Sequence, residues 1–149
     1  MLDADLLVLD LEAETSREVI EHLGRLMKEK EYVKDSYVEA VLTRESTLPT
    51  GLSIGNFYVA IPHTDSNHVN RSTIGLAALK KPVAFHSMIN PEESLAVELV
   101  FLLAIKDPGM QVQTLKNLMA VFQNKELLMA LKAAKTREQA AELLQSLAV

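Results

Sequence analysis

The apolar run at residues 95–105 (LAVELVFLLAI) does most to limit what this chain can fold into. It is too short to cross a bilayer, which takes about 20 apolar residues, and Glu98 interrupts it. The run must therefore be buried inside a protein core. A strand wet on one face alternates apolar with polar residues, whereas this one stays apolar at neighbouring positions and carries Val97, Val100 and Phe101. It reads as the central strand of a sheet covered on both faces.

The remaining segments have to supply that cover. Residues 6–11 (LLVLDL) read as a first strand at a sheet edge, because acidic residues flank them on both sides. Thr15-Ser16-Arg17-Glu18 is a capping box, and Val19, Ile20, Leu23, Leu26 and Met27 recur at helical spacing behind it. Ser36-Tyr37-Val38-Glu39 repeats the capping pattern and opens a second helix, with Val38, Val41 and Leu42 facing inward and Pro49 and Gly51 ending it. Residues 57–61 carry the aromatic and β-branched side chains of a strand, which Pro62 ends or confines to an edge because it has no N–H to donate. Residues 73–79 (TIGLAAL) and 82–85 (PVAF) predict two more strands on either side of a Lys80-Lys81 turn. Beyond the central run, Lys106-Asp107-Pro108-Gly109 breaks the chain, and Val112, Leu115, Leu118, Met119 and Phe122 mark an amphipathic helix. Asn124 and Thr136 cap two further helices, the last with Leu143, Leu144 and Leu147 as its apolar face. Interleaved strands and helices followed by helices predict an α/β fold: one domain over residues 1–149, a mixed β-sheet covered by helices, with a helical C-terminus. The 149 residues suffice for one full core, and no repeat, low-complexity tract or linker divides them.

With no cysteine, the chain has neither a thiolate nucleophile nor a cysteine metal site, so covalent chemistry falls to another side chain, and histidine leads. A formal charge of −5 and the lack of a Lys/Arg cluster point away from nucleic acid and anionic membranes and toward a basic protein partner. The acidic start, MLDADLLVLDLEA, does not resemble a signal peptide, and no segment is expected to insert into a membrane, so a cytoplasmic protein is expected.

Of the four histidines, His63 stands out, because Pro62 ends a strand just before it and a strand tip holds an imidazole rigidly yet within reach of a partner. An isolated Pro-His pair is otherwise an ordinary strand exit with a solvated histidine. His22 lies off the apolar face of its helix, and His86 falls in the turn-rich segment HSMINPEE. His68 sits five residues beyond His63 in a loop, without the third ligand at a fixed offset that a zinc motif needs, so no metal and no cofactor are expected. Arg44, near the end of the second helix, reads from the residues alone as a cation favoured by the helix dipole or as one half of a surface ion pair.

Arg44-Glu45, Thr50-Gly51, Ile61-Pro62-His63, the apolar run and the helix after it occur in an order and spacing that resemble the fructose/mannitol-type IIA domains of the bacterial sugar phosphotransferase system. The resemblance spans nearly the whole chain. It implies that His63 accepts a phosphoryl group from the phosphohistidine of HPr and passes it to a cysteine of a sugar-specific IIB component, functionally linked to a membrane IIC component. It also implies that Arg44 stabilises the phosphorylated site; Thr47, Thr50 and Thr64 are candidate neutral donors. Many mannitol- and fructose-type members carry a second histidine at the start of the helix after the central strand, where this chain has Gln111. A glutamine amide can donate to a phosphoryl oxygen but carries no charge. That departure, with residues 82–108, places the resemblance nearest the galactitol-type proteins. Nitrogen-type regulatory IIA proteins, which bind other proteins according to their phosphorylation state, are the alternative.

Overall fold

A computed structural model describes residues 2–55 and 57–145 of the chain. Strand β1 (Leu2–Leu11) is followed by helices α1 (Ser16–Glu29) and α2 (Tyr37–Thr47), a short hairpin of β2 (Gly51–Ser53) and β3 (Tyr58–Ala60), and a 3-10 turn at Ser66–His68. A long hairpin of β4 (Thr73–His86) and β5 (Ser94–Ala104) leads into α3 (Pro108–Phe122), α4 (Lys125–Ala133) and α5 (Arg137–Gln145). The sheet order is β1-β4-β5-β3-β2. β1 runs parallel to β4 and β3 parallel to β5, while β4–β5 and β2–β3 are antiparallel, so the sheet is mixed. β5 is its middle strand and β1 one edge, as their sequences predict.

Each sheet face carries its own core. On one, Val19, Ile20, Leu23, Met27, Tyr37 and Val41 of α1 and α2 pack on Leu6, Ala77, Val100 and Leu102. On the other, Leu118, Phe122, Leu128, Leu131 and Leu144 of α3, α4 and α5 cover Leu7, Leu76, Leu99 and Phe101, with the Phe101 and Phe122 rings 5.5 Å apart. Burial on both faces of β5 is continuous only from Leu99 onward: Ala96 is exposed and Glu98 half-buried, so the first part of the strand packs on one side alone. This is how the strand accommodates its carboxylate.

Three local expectations are corrected. The two strands expected at 73–79 and 82–85 are one, β4. Its Lys80-Lys81 segment is a bulge, because pairing jumps from Ala78↔Leu99 to Val83↔Val97, and Pro82 escapes the ladder there. Ser36 does not cap α2, since its backbone is already helical (φ −79°, ψ −9°) and its hydroxyl lies 2.8 Å from His68 Nδ1 instead. Val38 and Leu42 do face inward, partly buried against the core, but Tyr37, not expected to, is fully buried beside them, its hydroxyl donating to the Leu103 carbonyl at 2.5 Å. In α3, Val112 and Met119 face solvent while Leu118, Val121 and Phe122 carry the buried face. The other caps form as read: Thr15 accepts from the Glu18 N–H, Asn124 from the Leu127 N–H and Thr136 from the Gln139 N–H. Leu147 lies outside the described residues.

Candidate phosphoryl-transfer site

Pro62 ends β3 without releasing the chain, because its carbonyl accepts the Leu103 N–H of β5 at 3.0 Å. His63 is therefore fixed against the C-terminal end of the central strand. It is only 7% exposed, which corrects the expectation of an open strand tip. Its Nδ1 stands 2.8 Å from the Ile61 carbonyl oxygen. A carbonyl only accepts, so Nδ1 carries the proton and the lone pair of the neutral ring is on Nε2. Nε2 has no hydrogen bond, yet among the described residues Arg44 Nε is the one sealed side-chain polar atom lacking a partner. The remaining exposure of His63 therefore includes the nucleophilic nitrogen.

The last turns of α2 bring Arg44 close enough for its charge to act on His63. Burial pushes the His63 pKa below the ordinary histidine range, and the Arg44 guanidinium pushes the same way. The Ile61 carbonyl and Asp65 oppose them. Among the described residues Arg44 forms no ion pair, and its buried Nε has no hydrogen-bond partner. The guanidinium lines an open depression of 530 Å³ with Thr47, Thr64, Asp65, His68 and Ser36. Arg44, Thr47 and Thr64 thus share one depression, which His63, the residue before Thr64, does not itself line. Thr47 is exposed and spends its hydroxyl on the Arg44 carbonyl at 3.3 Å, while Thr64 is buried at the foot of the loop after His63.

Thr50 is placed differently. Its N–H and its Oγ1 both donate to Glu45, at 2.9 and 2.8 Å, so neither faces the depression as a free donor. Glu45 is the residue sequence reasoning missed: two donors converging on one carboxylate from five residues away leave no pattern in the chain. Burial raises its carboxyl above the usual range, against the lowering effect of the Thr50 bonds. Gln111 lies in the first turn of α3, half-buried, its N–H bonded to the Asp107 carbonyl and its side chain bonded to neither His63 nor Arg44. His86 is exposed at the end of β4, and His68 is held by Ser36. Among the described residues, no three His, Asp or Glu side chains converge as a metal site. A neutral imidazole with a bare Nε2, beside a guanidinium with donors to spare, is equipped to attack phosphorus and to hold the oxygens of the group received.

Comparison with known proteins identifies the family and the fold. Residues 1–147 match the family described as phosphoenolpyruvate-dependent sugar phosphotransferase system, EIIA 2. The galactitol-specific EIIA component of Escherichia coli (strain K12) is 31% identical over 110 residues, covering 74% of this chain and 73% of that protein. The crystal structure of IIA mannitol from Escherichia coli superposes with a TM-score of 0.80 at 24% identity, covering 97% of this chain and 99% of that one. Enzyme IIAMTL in its complex with phosphorylated enzyme IIBMTL, also from Escherichia coli, superposes with a TM-score of 0.78 at 22% identity, over 98% and 99% of the two chains.

Proposed function

The chain belongs to the EIIA 2 family of the phosphoenolpyruvate-dependent sugar phosphotransferase system, and from that premise we propose that His63 Nε2 is its phosphoryl carrier, loaded by the phosphohistidine of HPr and unloaded onto a cysteine of a sugar-specific IIB component. The observation that carries this reading is the 2.8 Å contact of Nδ1 with the Ile61 carbonyl, which leaves Nε2 unprotonated. In the loading step the Nε2 lone pair bonds to phosphorus as the P–N bond of the donor breaks, and that bonding pair returns to the donor imidazole. His63 becomes a phosphoimidazolium, its Nδ1–H still donated to Ile61. When a thiolate attacks, the N–P bond breaks and its electrons neutralise the ring, so the leaving group is a neutral imidazole. A carbonyl that keeps Nδ1 protonated therefore keeps the phosphoryl group transferable. The Arg44 fork takes up the charge on the equatorial oxygens.

The galactitol-specific relative supports a galactitol-like polyol system, with the sugar recognised downstream, and the IIAMTL–IIBMTL complex supports a IIB component as acceptor. The test is to incubate the chain with phosphoenolpyruvate, enzyme I and HPr and to locate phosphate by mass spectrometry under non-acidic conditions. Label is expected on His63 alone and absent from His63→Ala; label retained in that variant, or found on His68 or His86, overturns the assignment.

A further inference from the structure

Glu45 sits in α2, one residue beyond Arg44, and its carboxylate is turned away from the depression toward the start of β2. Each of its oxygens takes a separate donor, Oε2 the Thr50 N–H at 2.9 Å and Oε1 the Thr50 hydroxyl at 2.8 Å. Thr50 is 2% exposed and in turn accepts the Ile61 N–H on its carbonyl, at 3.4 Å. Ile61 then accepts His63 Nδ1–H at 2.8 Å. The four residues form one hydrogen-bonded series from the end of α2 to the imidazole. On the β5 side, the same stretch is held by the parallel pairing of β3 with β5 and by the bond from the Leu103 N–H to the Pro62 carbonyl.

We propose that Glu45 is a positioning residue of the phosphoryl-transfer site, fixing through Thr50 and Ile61 the carbonyl that holds His63 as its Nδ1–H tautomer. The role rests on the reading of His63 as phosphoryl carrier. It explains the use of a carboxylate: the Thr50 N–H can only donate, and a carboxylate accepts from it and from the hydroxyl together, both bonds charge-assisted. A glutamine keeps one acceptor but loses the charge, and it meets the hydroxyl only by turning its NH₂ to Oγ1 in a weaker neutral bond. It also explains why a carboxylate is kept half-buried without an ion pair, an arrangement that burial alone disfavours. The preceding Pro49 has no N–H, so the Thr50 amide is the first the chain can use after α2 closes at Leu48.

The experiment reads the ring itself. Long-range ¹H–¹⁵N spectra of the wild-type protein at neutral pH are expected to show His63 protonated at Nδ1. In Glu45→Gln and in Thr50→Val, a second population protonated at Nε2 is expected, with kcat for transfer from phospho-HPr down about tenfold or more and KM nearly unchanged. Thr50→Ser, which keeps the hydroxyl, is expected to restore the single tautomer. Thermal unfolding identifies any variant that fails to fold, and Thr50→Val, which removes one bond of two, decides if Glu45→Gln does. A wild-type tautomer in both folded variants overturns the proposal. The spectra need no phosphoryl transfer, so loss of the His63 assignment in the labelling experiment is distinguishable from loss of the Glu45 role.

Discussion

Burial disfavours the charged form of His63 and the Arg44 guanidinium adds like-charge repulsion, so the imidazole binds its proton less tightly than an ordinary histidine. Below about pH 6.5 the unfolded chain takes up a proton at this position that the folded chain still refuses. The contribution of His63 to stability is accordingly intact above that pH and is lost as pH falls toward the depressed folded value. Urea midpoints measured from pH 7 downward are expected to drop less in His63→Gln than in the wild type, and an NMR titration is expected to place the His63 midpoint below 6.5. An ordinary midpoint removes the electrostatic account. Arg44→Lys retains the charge but not the planar fork, so it should leave that midpoint nearly in place. It should nevertheless slow phosphoryl transfer roughly ten- to a hundredfold, the effect of losing one charge-assisted contact in the transition state. Unchanged kinetics would return Arg44 to the part of a helix-end cation. A strand-ending proline is a local signal and singled out His63, whereas Arg44 read locally as a helix-end cation and entered the site only through the family resemblance. The engagement of Thr50 by Glu45 was not legible, because it depends on how α2 and β2 meet. The burial of His63 was hidden for the same reason, since it comes from the neighbouring strand end.

Among the elements, the β4–β5 hairpin reaches farthest across the molecule, its tip returning to the site. Ser87 pairs with Gly51, and the Met88 N–H donates to the Gly51 carbonyl at 2.8 Å. The approach is so close that a Cβ on Gly51 would stand 2.6 Å from the His86 carbonyl oxygen, backbone against backbone. Gly51→Ala must push β2 from the hairpin tip, and a loss of about 1 to 3 kcal/mol in chemical denaturation is expected. Slower transfer should accompany it, because Thr50 shifts with its neighbour. Wild-type stability in that variant would mean that the tip yields freely. The same hairpin carries the bulge at Lys80-Lys81-Pro82. Sequence places a proline and two lysines there and so reads as a turn between strands. Only pairing to β5 makes it one strand, and that pairing is a long-range fact. The 95–105 run, the caps at Thr15, Asn124 and Thr136 and the apolar face of α1 were legible because each is decided within a few residues, whereas in α3 Val112 and Met119 turned out to face solvent.

At the scale of the whole molecule, the proposed carrier role requires the surface to bring two different proteins in turn to the same nitrogen. The net charge of −5 favours a basic partner through long-range attraction, which is insensitive to detail. Discrimination among similar acceptors has to come from close contacts instead, and apolar side chains lie exposed at the end of α2 and at the hairpin tip. Leu48, 55% exposed, lines the depression with Arg44, and Ile89, 87% exposed, projects from the hairpin tip that meets Gly51. On the proposed reading no sugar enters this arrangement and a IIB component does, so specificity would be expressed as preference for one IIB surface over another. Phosphorylated protein offered separately to purified galactitol-, mannitol- and fructose-type IIB domains should lose phosphate from His63 fastest to the galactitol type. Replacing Leu48 by Asp should narrow that preference without altering the His63 titration, because it changes the contact surface and leaves the imidazole's surroundings intact. Faster transfer to the mannitol or fructose type would overturn the galactitol reading while leaving the carrier role standing. Failure with every IIB, alongside normal loading from phospho-HPr, would instead favour a IIA protein that regulates others through its phosphorylation state.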